Sequence, residues 1–245
     1  METSPRKDDA RVSIEPGFAW DRQDAYLFDI DGTLLRSRDR VHFDSVATSV
    51  KRVTGFEVTL AGVPLHGNTD TAILREACLR AGIPSDVLDA QINAILEGMG
   101  HCVAQRRLEL DPILMPGVRE ALSHLANSGA LLGIATGNLE MIGWMKIEAA
   151  GLREWFRFGG FSDHFPDRNE LVGQAACKAR ELAGHDLTVC VVGDTPRDIE
   201  AARKNNLRVI AVATGHFDFD TLLGYHPDAC ATSLADLLAA SRTAP

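Results

Sequence analysis

Residues 25–34 read Ala-Tyr-Leu-Phe-Asp-Ile-Asp-Gly-Thr-Leu. Apart from Asp29, the run Ala25–Ile30 is apolar and rich in aromatic and branched side chains, as in a strand buried on both faces. Asp31-Gly32 is a turn-forming pair. Asp29 and Asp31 are therefore expected where a buried strand gives way to a loop.

Downstream of this strand the periodicity becomes helical. Phe43, Val46, Ala47, Val50 and Val53 share one face of a helix closed by Gly55. Leu74, Ala77, Cys78 and Ala81 repeat the pattern and stop at Gly82, and Ser85 is placed to cap a third helix carrying Leu88, Ile92, Ile95 and Met99. Residues 36–112 thus read as a helical block without a strand, and the polar residues 1–23 read as a loose N-terminal arm.

Beyond Pro112 strands and helices alternate. Pro116-Gly117 opens a helix that Gly129 ends, and the strand Ala130–Ala135 runs into Thr136-Gly137-Asn138. A helix over Glu170–Ala183 precedes the strand Thr188–Val192, which ends in Gly193-Asp194. A helix over Asp198–Asn205 precedes the strand Arg208–Val212. Such alternation predicts an α/β fold with a parallel sheet and helices on both faces. The expected division is a core of residues 24–35 and 113–245 interrupted by the helical block 36–112. Ligands of these sheets bind beyond the carboxyl ends of the strands, which puts Asp29, Asp31, Thr136 and Asp194 on one rim.

Composition narrows the classes. With 25 basic and 34 acidic residues the chain carries a formal charge of −9, and 45% of its residues are hydrophobic. An acidic chain without a basic stripe argues against nucleic acid as partner. No apolar run approaches the ~20 residues of a membrane span, and the N-terminus lacks an apolar signal core. Five cysteines without a CxxC pair fit a reducing, cytoplasmic setting and argue against zinc or a disulfide framework.

Four carboxylates on one rim, Asp29, Asp31, Asp194 and Asp198, would repel one another. A divalent cation removes that conflict, and an all-oxygen donor set suits Mg²⁺ together with a substrate phosphate. One carboxylate can attack phosphorus as a nucleophile, and a second, two residues on, can serve as general acid and then base. The Thr136 hydroxyl, nearby backbone N–H groups and the helix N-terminus after Asn138 favour an anion.

The sequence Asp29-Ile30-Asp31-Gly32-Thr33-Leu34 resembles the first motif of the haloacid dehalogenase superfamily of hydrolases. Thr136-Gly137-Asn138 resembles the second motif, and Gly193-Asp194-Thr195-Pro196-Arg197-Asp198 the fourth. Met115-Pro116-Gly117-Val118, Ala201-Ala202 and Val212-Ala213-Thr214-Gly215 are similar to the phosphoglycolate-phosphatase-like branch. The resemblance implies a Rossmann-like core with a small all-helical cap inserted after the first strand. It implies a phosphoric monoester hydrolase that forms an aspartyl phosphate, with Asp29 as nucleophile and metal ligand. Asp31 would be acid/base, with its carbonyl on the metal. Thr136 would hold phosphoryl oxygens with Gly137 and Asn138, Asp194 would complete the metal site, and Asp198 would support it.

The third motif departs from the family pattern. Where members carry a lysine, this sequence has Arg168, 26 positions before Asp194, while Lys178 falls mid-helix. Arginine keeps its charge and can bridge phosphate and carboxylate oxygens, so Arg168 is assigned the role. In the helical block, His66-Gly67-Asn68-Thr69-Asp70 reads either as a turn with a helix cap or as a loop reaching the substrate, through Thr69 and Asp70. The partner implied is a small phosphorylated metabolite, phosphoglycolate first, with the chain itself a monomer or homodimer. Alternatives on the same core are a sugar phosphomutase, a phosphonate hydrolase, for which Lys51 is the one cap lysine on offer, and a binding protein without turnover.

Overall fold

A computed structural model describes residues 10–243 apart from 164 and 166. Along the chain the strands and helices are β1 (Val12–Ile14), β2 (Ala25–Phe28), β3 (Leu35–Ser37), α1 (Val41–Thr54), α2 (Asp70–Arg80), α3 (Ser85–Gln105) and β4 (Pro112–Leu114). Then follow α4 (Val118–Asn127), β5 (Leu131–Ala135), α5 (Glu140–Ala149), β6 (Phe158–Gly160), α6 (Arg168–Ala183) and β7 (Val189–Gly193). The chain closes with α7 (Pro196–Lys204), β8 (Arg208–Val212), α8 (Phe219–Leu223), β9 (Ala229–Ala231) and α9 (Leu234–Thr243).

Seven strands form one sheet in the order β1-β9-β8-β7-β2-β5-β6, parallel throughout except for β1 at the edge. The strand that leads into Asp29, β2, lies between β5 and β7. Its side chains alternate between two cores, as a period of two requires. Tyr26 and Phe28 pack with Leu122, Leu125 and Phe156 on one face. Ala25 and Leu27 pack with Leu171, Ala175 and Val191 on the other. From β2 the chain goes to β5 and β6 on one side and then crosses back to β7 on the other, so the loops beyond these strands open into a crevice at a topological switch point.

The three helices α1, α2 and α3 bury a third cluster, including Val46, Val50, Leu74, Ile95 and Met99, which extends onto Leu139 and Ile142 of the core. Gly55 closes α1 in the left-handed conformation at φ 78°. Ser85 is the first residue of α3 and the N-cap is Pro84, so the hydroxyl does not cap that helix.

Two further readings of the sequence are corrected. From residue 10 onward the N-terminal segment is not a loose arm: Val12–Ile14 pairs antiparallel with Ala229–Ala231, and Trp20 is buried with its indole N–H donating to Ser241 Oγ at 2.5 Å. Residues 1–9 lie outside the described residues. The helical block is framed by strands, because Leu35–Ser37 pairs antiparallel with Pro112–Leu114. Strands of three residues with one exposed face are too short to show a period. Among the described residues no helix is long and apolar enough to cross a membrane.

Candidate active site

The crevice is built by turns at strand ends. Asp29 follows β2 directly, and its amide donates to the Val192 carbonyl at 3.0 Å. The chain then turns sharply, with Leu34 and Leu35 amides returning to the Ile30 carbonyl at 2.9 and 3.0 Å. Gly32 takes φ +93° there, and a Cβ on it would run into the Asp194 carboxylate, as would one on Gly215. Backbone from two loops is thereby pressed against Asp194, a close approach that only glycine permits. The Thr33 hydroxyl donates to Asp194 Oδ1 at 2.9 Å.

Asp198 sits in the first turn of α7. Its Oδ2 accepts from the Thr195 amide (3.0 Å) and hydroxyl (2.7 Å), so the helix start fixes the carboxylate. Its Oδ1 accepts from Arg168 Nε (3.0 Å) and Nη2 (2.7 Å). Arg168 opens α6, whose start Asp167 caps through the Asn169 amide. The guanidinium also lies 3.0 Å from Asp29 Oδ2 and donates to the Gly67 carbonyl at 3.2 Å. Lys178 instead donates to the Gly159 carbonyl at 2.8 Å, away from the carboxylates.

Asp29, Asp194 and Asp198 are all buried and each offers an oxygen within 4.8 Å of the others. Burial pushes Asp29 up to about 6 against the pull of Arg168, with Asp198 and Asp31 adding to the rise. Burial, then Asp29 and Asp198, push Asp194 up to about 8. Burial opposes the charge of Arg168, but Asp198 and Asp29 outweigh it and hold its pKa above the usual value. One guanidinium faces three carboxylates, and the oxygen donors left over suit a hard divalent cation such as Mg²⁺.

Asp31 faces the same cavity with its side chain 43% exposed. Its Oδ2 accepts from Lys146 Nζ at 2.6 Å and from Asn138 Nδ2 at 2.8 Å. Desolvation raises the Asp31 pKa, but the Lys146 charge and these hydrogen bonds outweigh it and hold the carboxyl below its usual range. Asn138 Nδ2 also donates to Thr136 Oγ1 at 2.8 Å, so one amide ties the hydroxyl to the acid. Thr136 is itself anchored by its amide on the Gly160 carbonyl at 3.1 Å.

Lys146 was not among the residues expected from the sequence. It is 4% exposed and lies on the buried face of α5 beside Ile142, Gly143 and Ile147. A lysine in phase with apolar residues was the available signal. His42, 3.1 Å from Asp70 Oδ2, was missed as well.

Thr69 and Asp70 both hold local structure, and of the two Asp70 also lines the cavity. The Thr69 hydroxyl caps α2 through the Ala72 amide at 3.2 Å, and Thr69 does not line the cavity. Asp70 donates its amide to the Gly137 carbonyl at 2.7 Å and accepts the Leu139 amide on Oδ2 at 2.8 Å. Asp70 therefore fastens the helical block to the turn after β5. A Cβ on Gly137 would meet the Asn68 carbonyl at 2.5 Å, so this contact needs a glycine.

The sequence profile of the family described as haloacid dehalogenase-like hydrolase matches residues 26–212. A phosphoglycolate phosphatase of Synechococcus elongatus is 28% identical over 221 residues, 88% of this chain and 96% of that one. Among solved structures, a predicted phosphoglycolate phosphatase from Haemophilus somnus superposes with a TM-score of 0.62 at 19% identity, over 89% of this chain and 97% of that one. A candidate beta-phosphoglucomutase from Thermotoga maritima superposes with a TM-score of 0.54 at 18% identity, over 91% and 100%. At these identities the two structures show a shared fold.

Proposed function

The chain belongs to the haloacid dehalogenase-like hydrolases, and from that premise we propose that it is a Mg²⁺-dependent phosphatase that cleaves a small phosphorylated metabolite through an aspartyl phosphate. The observation that carries this reading is the meeting of Asp29 and Asp194, distant in sequence but at the ends of the neighbouring strands β2 and β7, with Asp198 in one cluster under a cavity that Asp31 and Thr136 share.

Asp29 attacks phosphorus in line, the bond from phosphorus to the leaving oxygen breaks, and Asp31 gives that oxygen its proton. Asp31 then takes a proton from water as the water attacks the same phosphorus, and Asp29 is released as a carboxylate. The ion pair with Lys146 favours ionised Asp31, the form the second step needs. Arrival of a phosphate dianion adds negative charge nearby and draws a proton onto Asp31 for the first step. Arg168, Thr136 and the Gly137 and Asn138 amides hold the phosphoryl oxygens, where charge must be neutralised. Asp29, the Asp31 carbonyl and Asp194 would hold Mg²⁺, with Asp198 in support. The bound ion supplies positive charge that polarises the phosphoryl group and offsets the carboxylates.

The −9 charge fits a small-molecule partner rather than nucleic acid, and five free cysteines suit the cytoplasm as the place of action. A phosphonate hydrolase finds less support: Lys51 pairs with Glu57 on the surface and does not line the cavity. The reading is tested by phosphate release from 4-nitrophenyl phosphate with and without Mg²⁺. Release that needs the ion and disappears in Asp29→Asn is expected, and undiminished release in that variant refutes Asp29 as the nucleophile.

A further inference from the structure

The alcohol that leaves from the phosphate has to fit the wall of the cavity opposite the carboxylates. The cavity measures about 260 Å³, a little under the volume of sites for drug-sized ligands and more than a phosphoryl group fills. Phe43 and Val46 of α1, Leu60 and Leu65 between α1 and α2, and Ile73 of α2 give this wall its surface.

Asp39, Asp70 and His66 on this wall already have partners. Asp39 accepts from the Val41 and Asp111 amides at 2.9 and 2.8 Å. Asp70 accepts from the Leu139 amide and faces His42. His66 stacks on His216 with ring centroids 4.1 Å apart, and burial together with that neighbour holds its pKa below the usual histidine value, so the ring is neutral near pH 7. Among the described residues no lysine or arginine lines this wall. The two cations of the cavity, Lys146 and Arg168, belong to the core helices α5 and α6 and have their donors on Asp31, Asn138, Asp29, Asp198 and the Gly67 carbonyl.

A second anionic group on the alcohol would therefore meet mainly hydrocarbon and the carboxylates Asp39 and Asp70, with no lysine or arginine on this wall to pair with it, an unfavourable burial. An uncharged carbon body would gain from leaving water against the same surface. We propose that the substrate is a phosphomonoester of an uncharged alcohol with an apolar body, rather than one that carries a carboxylate beside its phosphate. This rests on the phosphatase reading and narrows it.

Matched pairs test it on the full chain with Mg²⁺: phenyl phosphate against 4-carboxyphenyl phosphate, and butyl phosphate against 2-phosphoglycolate. In the first pair the carboxylated phenol is the better leaving group, so intrinsic reactivity works against the expected result. The neutral member of each pair should show a kcat/KM higher by about ten-fold or more, the scale set by the desolvation of one unsatisfied buried group. Leu65→Lys, which adds a cation to the wall, should shift the charged-to-neutral ratio upward by about ten-fold, and because a ratio is read, loss of folded protein does not imitate the shift. Equal turnover within the pairs, or preference for the charged members, overturns the proposal and leaves the phosphatase reading standing. No phosphate release from any of the four compounds overturns both.

Discussion

The two walls of the cavity are built on different principles. On the strand side charged groups are held by several elements at once: Asp198 by its own helix start and by Arg168, and Asp31 by Lys146 and Asn138. On the helical side hydrocarbon is interrupted by Asp39, His42, His66 and Asp70, and the surface is held over the crevice by a few polar contacts, chiefly Asp70 to the turn after β5 and the Gly67 carbonyl to Arg168. Rigid, preorganised charge suits the chemical step. A packed apolar surface on few polar ties suits selection of the leaving group and can move as a unit. The strand side should therefore govern kcat, and the helical side KM and preference.

The largest effect expected is from Asp29→Asn, which removes the nucleophile and should lower kcat by about 10³-fold or more while the circular dichroism spectrum stays unchanged. Loss in KM alone would break the division between the walls. Lys146→Met comes next. It leaves Asp31 without its cation and should lower kcat by about 10–100-fold with little change in KM, measured on 4-nitrophenyl phosphate.

Asp70→Ala acts on the helical side. It strips the Leu139 amide and His42 of an acceptor, so unfolding stability should fall by about 1–3 kcal/mol in urea titration, and KM should rise more than kcat falls. The smallest effect is a control remote from both walls. Hydrogen bonds from the Thr188 side chain and then its backbone hold the pKa of exposed Asp24 below its usual value. A depressed carboxylate stabilises the fold above its unfolded pKa of about 3.9 and loses that contribution as pH falls through the folded value. Asp24→Asn should therefore lower Tm slightly near neutral pH, with the difference closing in acid, and should leave kcat and KM alone.

The strand side was legible in the sequence because its chemistry sits in short segments at strand ends. Asp29-Ile30-Asp31-Gly32, Thr136-Gly137-Asn138 and Asp194 through Asp198 each follow a strand whose apolar run is plain, and a parallel sheet brings such ends together. The helical side was legible only as helices. Which residues of α1 and α2 face the crevice depends on how the block docks, and Thr69 and Asp70, expected at the substrate, are held by Ala72, Gly137 and Leu139. Lys146 escaped notice for a related reason: its partner Asp31 lies 115 positions away, and nothing local marks a buried lysine as paired. The edge strand β1, its neighbour β9 and the pair β3 and β4 have three residues each, too few for a pattern.

The central claim is that the Asp29 carboxylate takes the phosphoryl group onto itself. Acid quench during turnover of 4-nitrophenyl phosphate, followed by borohydride reduction and peptide mass spectrometry, reads this directly, because reduction turns an acyl phosphate on aspartate into homoserine. Homoserine at position 29, absent from Asp29→Asn, is the predicted result. Reduction at another carboxylate, or steady phosphate release with position 29 unlabelled, would contradict it.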